Sequence, residues 1–403
     1  MPETPVQNQP GLWAKAWRKP SVRWGTRLTL AIVLIGVYAP FLANDTALIW
    51  HDASGWSLPA VGDLFNRWSY PKYYDVYFNV AALLLPGLLV GGWLLRRRWS
   101  LPRRLVIGAL LILAAGTGAL LPLFPSAQGF QSVWRHRQQS NAQVGQVTPT
   151  VTALFAPVPF RATVPVSGQV LQAPLTSDPA SGRRFWLGTD SVGKDVAAQM
   201  IAGARISLTV GLVATGLSLL IGLLIGALSG YLGGWVDLIL QRVVEIMMCF
   251  PTFILILVVV AMTGRDIFVI MLVIGLTGWA GIARLVRGEY LAQSVRDYVA
   301  AGQALGLGPW RIMFRHILPN ALTPLLITAT FGVAGAVGSE SGLSFLGLGD
   351  PTIASWGTLL EQGRQNIDYW WLIWLPGIAV FALISALNLI GNGLREAVDA
   401  AAE

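Results

Sequence analysis

The stretch DYVAAGQALGLGPWRIMFRHILPN, Asp297 to Asn320, is the one long insert rich in polar and small residues among the apolar runs of the C-terminal half. Ser294 and Asp297 are residues of the kind that cap helix starts. Tyr298 to Leu305 then reads as one short helix, and Gly306-Leu307-Gly308-Pro309 breaks it before a second turn begins. Two short helices at an angle are expected. Tyr298, Val299, Trp310, Ile312 and Met313 carry more apolar surface than a solvated connector needs, while Ala300, Ala301, Gly302 and Ala304 let another backbone approach closely. That pattern predicts a docking surface; the plain alternative is an ordinary connector between two membrane helices.

Composition says what surrounds it. The 403 residues are 54% hydrophobic and 12% charged, whereas soluble chains average about 25% charged. Such a chain belongs in a bilayer. The net charge of +8 could suggest nucleic acid, but the basic residues sit mostly at the ends of apolar runs, where they set membrane orientation. Nucleic-acid binding is not expected. Cys249 is the one cysteine, so no internal disulfide or cysteine metal site is available. His51, His136 and His316 show neither metal-ligand spacing nor a paired nucleophile.

Taken in order, Lys15, Arg18, Lys19, Arg23 and Arg27 precede an apolar run from Leu28 to Ala43, read as an uncleaved first span with a cytoplasmic start. Runs from Phe78 to Leu95 and Leu105 to Phe124 flank Arg96, Arg97, Arg98, Arg103 and Arg104, a hairpin whose turn the arginines would hold in the cytoplasm. Residues 125 to 187 read as an extracytoplasmic loop with short strands near 144–151 and 162–170. Lys194 to Arg205 is expected to be an interfacial helix on the membrane surface. Five more spans follow: Ile206 to Gly230, Leu238 to Met262, Ile267 to Leu285, Ala321 to Glu340 and Trp370 to Leu389. The expected fold is therefore an all-α polytopic bundle of about eight transmembrane helices. Its expected regions are 1–27, 28–124, 125–205, 206–392 with the loop 294–320, and 393–403.

Within those spans Ser218, Gly222, Gly226 and Gly230 recur every fourth residue, a small-residue ridge for close helix packing. Pro251 is expected to kink its span, and Arg242 can pair with Glu245 one turn on. No carboxylate or histidine is read at mid-span, which weighs against an ion-coupled secondary transporter or channel, the alternative function. Gly188-Thr189-Asp190-Ser191-Val192-Gly193-Lys194-Asp195 nearly matches a phosphate-binding loop, but Asp195 stands where Ser or Thr is required and would set a carboxylate against phosphate. Nucleotide binding there is not expected.

At the opening stretch the sequence resembles the permease subunits of binding-protein-dependent ABC importers of the dipeptide, oligopeptide and nickel type. Their signature runs E-A-A, three residues, G, nine residues, I-x-L-P. Counting back from Pro319 places Leu318, His316, Gly306, Gly302, Ala301 and Ala300 on it, with Ala300 for the glutamate, Gly302 for the second alanine and His316 for the isoleucine. The likeness covers about Phe185 to Ala400 and includes Leu187-Gly188-Thr189-Asp190 and Gly342 to Gly349. It implies a six-span core to which the hairpin is an addition. It further implies a coupling loop carrying Asp297, Tyr298, Ala300, Ala301, Gly302, Gly306, Pro309, Trp310, Arg315, His316, Leu318 and Pro319. Gly188, Thr189, Asp190, Gly193, Lys194 and Asp195 would form the motif leading into the core. The implied partners are a second homologous permease, two ATP-binding subunits, an extracytoplasmic substrate-binding protein and membrane lipid. The chain itself would be no enzyme and hold neither metal nor cofactor, with ATP used by its partners and peptides as the default cargo. Its place would be a bacterial cytoplasmic (inner) membrane, with both termini cytoplasmic.

Overall fold

A computed structural model describes residues 16–52, 55–66, 69–95, 100–120 and 152–402. The principal helices are α1 (Pro20–Val37), α2 (Tyr73–Leu94), α3 (Leu101–Leu120), α4 (Val196–Leu232), α5 (Gly234–Cys249), α6 (Thr252–Thr263), α7 (Ile267–Thr277), α8 (Trp279–Ser294), α9 (Asp297–Ala304), α10 (Pro309–Leu348), α11 (Trp356–Gln365) and α12 (Trp371–Ala402), with single helical turns at Ala39–Leu42 and Pro59–Asp63 besides. Strands β1 (Ile49–Asp52), β2 (Gly55–Ser57) and β3 (Thr152–Leu154) form a small antiparallel sheet in the order β2-β1-β3. Helices dominate because a chain in hydrocarbon must satisfy each backbone N–H and C=O within its own segment.

Among the described residues six helical stretches are long and apolar enough to cross a membrane, and seven if the bent pair α5 and α6 is one span. The eight expected are not reached, and the difference lies at the first. That run is helical, but α1 starts at Pro20, stops at Val37 and carries Arg23 and Arg27 in its first half. The hairpin α2–α3 stands where it was expected, while Arg96, Arg97 and Arg98 of its turn lie outside the described residues. So do Arg135, His136 and the alternating stretch 144–151.

Two expectations are corrected outright. Lys194 to Arg205 is not a separate surface helix, because Val196 opens the 37-residue α4, which runs on through Ile206. Val196, Ala198 and Ala204 are buried in protein, and nothing between Arg205 and Ile206 breaks helical hydrogen bonding. At 1.5 Å per residue α4 is about 55 Å long, well beyond the roughly 30 Å of a bilayer's hydrocarbon. Second, 162–170 forms turns instead of a strand: Val164 N–H donates to Arg161 O, Gln169 N–H to Val166 O, and Gly168 takes φ +73°.

The chain divides into two compact units. One comprises Val33–Ile206 and Asn366–Leu372. In it the hairpin packs through Val37, Ala81 and Ala82 with Phe78 and Ile112, and Arg161 bridges Asp45 at 2.6 Å and buried Asp63 at 2.9 Å. The other comprises the described residues of Met1–Ile32 together with Ser207–Gln365 and Ile373–Glu403. Here the glycine ridge of α4 meets α8: a Cβ on Gly222 would lie 2.7 Å from Ile282 Cβ, one on Gly226 2.5 Å from Ala283 O, and one on Gly230 2.7 Å from Arg287 O. Contacts that close leave no room for a side chain, so the two backbones meet directly. Ser218 adds a hydrogen bond to Gly275 O at 2.8 Å. At Pro251, where the ring removes a helical N–H, α5 and α6 bend by 80°.

Candidate functional site

The stretch Asp297 to Asn320 forms α9, a glycine turn and the first turns of α10. Its expected caps are not used. Arg296 occupies the N-cap without a side-chain bond, Ser294 Oγ donates to Leu291 O, and Asp297 sits in the first turn, where its charge favours the helix dipole. At the far end Leu307 N–H reaches back to Gly302 O at 3.1 Å and Gly306 N–H to Gln303 O at 2.9 Å, with Gly306 at φ +75°. This is a left-handed helix stop of the kind glycine supplies.

Instead of a second short helix, Pro309 opens the 40-residue α10. Its turn Ile312–Ile317 is widened to π geometry just ahead of Pro319, which has no N–H to return to the preceding turn.

The apolar residues of the stretch divide into two sets. Val299, Ile312, Met313 and Ile317 are buried against Ile282, Val286 and Tyr290 of α8 and Ala227 of α4. Tyr290 Oη donates to Met313 O at 3.2 Å. Val299, Ile312 and Met313 were expected on the docking surface; they hold the loop to the bundle, because a short helix and a helix start must bury one side to stay fixed. The other side faces out: Trp310 is 62% exposed and stacked on Phe314, and Leu305 is 81% exposed. Tyr298, Ala300, Ala301, Asp297, Pro309, Arg315 and Pro319 share that exposure, while His316 and Leu318 are half-buried. Gly302 is buried, yet a Cβ there would come no nearer than 3.4 Å to Leu307 Cδ1.

Close to this loop an ion pair passes unnoticed in the sequence. Arg287 of α8 grips Asp237 of α5 through two bonds of 2.6 Å, and Ser229 of α4 donates to the same carboxylate. The residues lie fifty positions apart, so no local spacing could have joined them. A second departure is Glu340 in α10, 1% exposed and held by Ser344 Oγ at 2.8 Å and Ser341 Oγ at 3.4 Å. The expectation of uncharged span interiors overlooked it because Glu340 was taken as a span end, whereas α10 continues to Leu348.

Around Gly188 to Asp195 the near-match to a phosphate loop is filled by the protein itself. Asp190 Oδ1 accepts the N–H groups of Val192 at 2.9 Å and Lys194 at 2.8 Å, and Oδ2 accepts Gln199 Nε2 at 2.9 Å. Those backbone donors are the ones a phosphate would need. Gly188 and Gly193 take φ +82° and +89°, and Thr189 O accepts Trp371 Nε1 at 3.2 Å. Asp195 accepts Ala198 N–H at 2.7 Å, an N-cap for α4, while its other oxygen is buried without a partner. Burial pushes this carboxyl up to about 7 against the opposing pull of the Ala198 and Ala197 N–H groups, and the Asp190 charge pushes it the same way.

The folded chain therefore keeps a proton on Asp195 that the unfolded chain has lost above its ordinary value of 3.8. The stability that Asp195 contributes therefore falls as pH rises from there to about 7 and is then level. Asp195→Asn keeps the oxygen that caps Ala198 and abolishes the titration. Its apparent melting temperature in detergent should fall less than that of wild type between about pH 5 and about pH 8. Equal falls in the two proteins would assign the proton elsewhere.

Residues 222–403 match the family described as binding-protein-dependent transport system inner membrane component. The chain is 34% identical to the oligopeptide transport system permease protein OppC of Bacillus subtilis over 66% of its own length and 87% of that protein. To the di/tripeptide transport system permease protein DppC of Pseudomonas aeruginosa it is 35% identical over 54% and 72%. A solved structure of the MetNI methionine ABC transporter, in an inward-facing conformation, is 21% identical over 47% of this chain and 96% of that one, with a TM-score of 0.35. The chain belongs to the binding-protein-dependent inner-membrane component family: it is a multi-pass membrane protein and a permease subunit of an ABC importer.

Proposed function

We propose that this permease carries peptides, and that it takes its driving force through the outward side of α9 and the start of α10. The observation that supports this most is the two-sidedness of that stretch. Val299, Ile312, Met313 and Ile317 fix it to α4 and α8, leaving Trp310 and Leu305 exposed on a rigid mount. A lever needs that combination, because a partner's displacement is transmitted only through a body that does not deform. In this reading the loop faces the cytoplasm, where Trp310 and the exposed arginines Arg296, Arg311 and Arg315 meet an ATP-binding subunit. Closure of two such subunits would then tilt the spans around a pathway shared with a second permease, loaded by an extracytoplasmic binding protein. Peptide cargo rests on the names of the similar proteins from Bacillus subtilis and Pseudomonas aeruginosa. The chain itself would hold no ATP, metal or cofactor.

The test is reconstitution of the chain with its companion permease, ATP-binding subunits and binding protein in vesicles. Peptide uptake that needs both ATP and the binding protein is expected, and uptake indifferent to ATP would overturn the reading. In the same series labelled ATP should show no saturable binding to this chain alone, since Asp190 occupies the backbone donors. Saturable binding lost on Lys194→Ala would reinstate a nucleotide site.

A further inference from the structure

Helices α4 and α5 are joined by Gly233 and Gly234, both in the left-handed region at φ +65° and +54°, where a Cβ would meet no atom within 4 Å. Two glycines in open space form a joint that does not by itself fix the angle of α5. That angle is held by one narrow face of the helix. Asp237, Gln241 and Val244 follow one another along it at helical spacing, and Ala280, Ala283 and Arg287 do the same along α8 opposite. Val244 is the buried residue of α5, set against Trp279, Ala280 and Ala283. The Asp237–Arg287 pair lies at the other end of the face, next to the glycine joint.

The pair orients more than it stabilises. With its side chains 20% and 31% exposed, it is close enough to water to contribute little to folding. Its geometry is more telling: Arg287 Nε and Nη2 donate to the two oxygens of Asp237 at 2.6 Å each, a planar fork that sets both the distance and the angle between two helices. Ser229 Oγ donates to Asp237 Oδ1 and accepts Gln241 Nε2 at 2.9 Å, which keeps the carboxylate turned toward its partner. Arg287 itself stands on backbone that cannot shift, since its carbonyl oxygen would lie 2.7 Å from a Cβ on Gly230 of α4. Beside it, Val286 and Tyr290 bury Val299, Ile312 and Met313 of the Asp297 to Asn320 stretch. Helix α8 is therefore fixed to that stretch by one face and to α5 by another.

Resting on the permease reading, we propose that Arg287 and Asp237 are positioning residues of transport. Clamped, α5 moves with α8 when the loop is displaced, and the bent pair α5 and α6 turns as one piece. Unclamped, the displacement is absorbed at Gly233 and Gly234, and the ATP-binding subunits close without turning the bent pair.

The test compares peptide uptake with ATP hydrolysis in the transporter reconstituted from this chain, its companion permease, ATP-binding subunits and binding protein. Arg287→Ala should retain its ATP-binding subunits and hydrolyse ATP within about twofold of wild type, while uptake falls on the order of tenfold. Asp237→Asn keeps the side-chain volume and an acceptor for Ser229, and should show the same split, so the result does not hang on the assembly of one variant. Unchanged uptake in both variants would overturn the proposal. So would uptake, hydrolysis and subunit retention falling together, the mark of a contact that only holds the fold.

A covalent replacement gives a second arm. Cys249 is the one native cysteine, and in a Cys249→Ser background Asp237→Cys with Arg287→Cys should transport as poorly as Arg287→Ala. Joining the two introduced thiols with a short bifunctional reagent, followed by peptide mass, should recover most of the uptake, because a clamp that stays closed through the cycle can be replaced by a bond. Bridged protein that stays inactive would overturn the assignment. Wild-type uptake reports on the permease reading separately: if it is indifferent to ATP both readings fall, and if it is driven by ATP while the variants keep full uptake, only the clamp does.

Discussion

In the coupling role proposed for this stretch, Gly306→Val is expected to leave the chain folded and inserted while cutting ATP-driven uptake on the order of tenfold or more, because a lever acts through its mount and its angle. The mount is untouched, since Val299, Ile312 and Met313 still fill the pocket against α8. The angle depends on Gly306 at φ +75°, where a side chain would meet no atom within 4 Å. Steric room is therefore not the obstacle; backbone conformation is. A β-branched residue in the left-handed region carries about 1–2 kcal/mol of strain. The chain can escape it by extending α9 through the turn, which breaks the Leu307 to Gly302 bond and swings Trp310 away. Gly306→Asn, which tolerates the left-handed region better, should retain most of the uptake. The measurements are peptide uptake, ATPase stimulation and retention of the ATP-binding subunits in the reconstituted transporter. Full uptake with normal retention for Gly306→Val would reduce the stretch to a plain connector.

That turn shows what the sequence could deliver. Gly306, Gly308 and Pro309 announce a helix stop and restart by local chemistry, and the spacing of Ser218, Gly222, Gly226 and Gly230 announces a packing ridge. Such features are legible because each is decided within one or two helical turns. What the ridge packs against is not: Ile282, Ala283 and Arg287 lie far along the chain. The same limit hid the Asp237–Arg287 clamp and the network around Arg161, Asp45 and Asp63. It also explains the misplaced interfacial helix. Arg205 reads as a polar boundary in sequence, and only its distant partners let α4 run through it. Conversely, the inward Val299, Ile312 and Met313 and the outward Trp310 are chemically alike, so composition could mark the loop as sticky without saying which side it keeps for itself.

Arg205 supports the largest stability effect expected in this protein. Its guanidinium is buried and fully engaged: Nε donates to Gly36 O at 2.6 Å, Nη2 to Val37 O at 3.2 Å and to Asn79 Oδ1 at 2.8 Å, and Nη1 to Asp75 Oδ1 at 3.2 Å. Gly36 and Val37 close α1, where carbonyls have no helical partner, so the arginine caps that end and also neutralises Asp75 at the start of α2. The ring of Phe78 lies 5.3 Å from the guanidinium carbon and adds a cation–π contact. Arg205→Ala strips all of this at once and leaves a carboxylate enclosed without its cation. Breaking a buried pair from one side destabilises by about 3–5 kcal/mol, a large part of the roughly 5–15 kcal/mol that holds a typical domain together. The expected result is a steep loss of full-length protein from the membrane and a lowered melting temperature in detergent for what survives. Arg205→Lys should fall in between, because one ammonium cannot reproduce the planar fork that serves four acceptors. Pairing Arg205→Leu with Asp75→Leu removes the stranded charge and should recover part of the loss. Were the double variant no better than the single, the capped carbonyls of Gly36 and Val37 would carry the effect and the Asp75 charge would not.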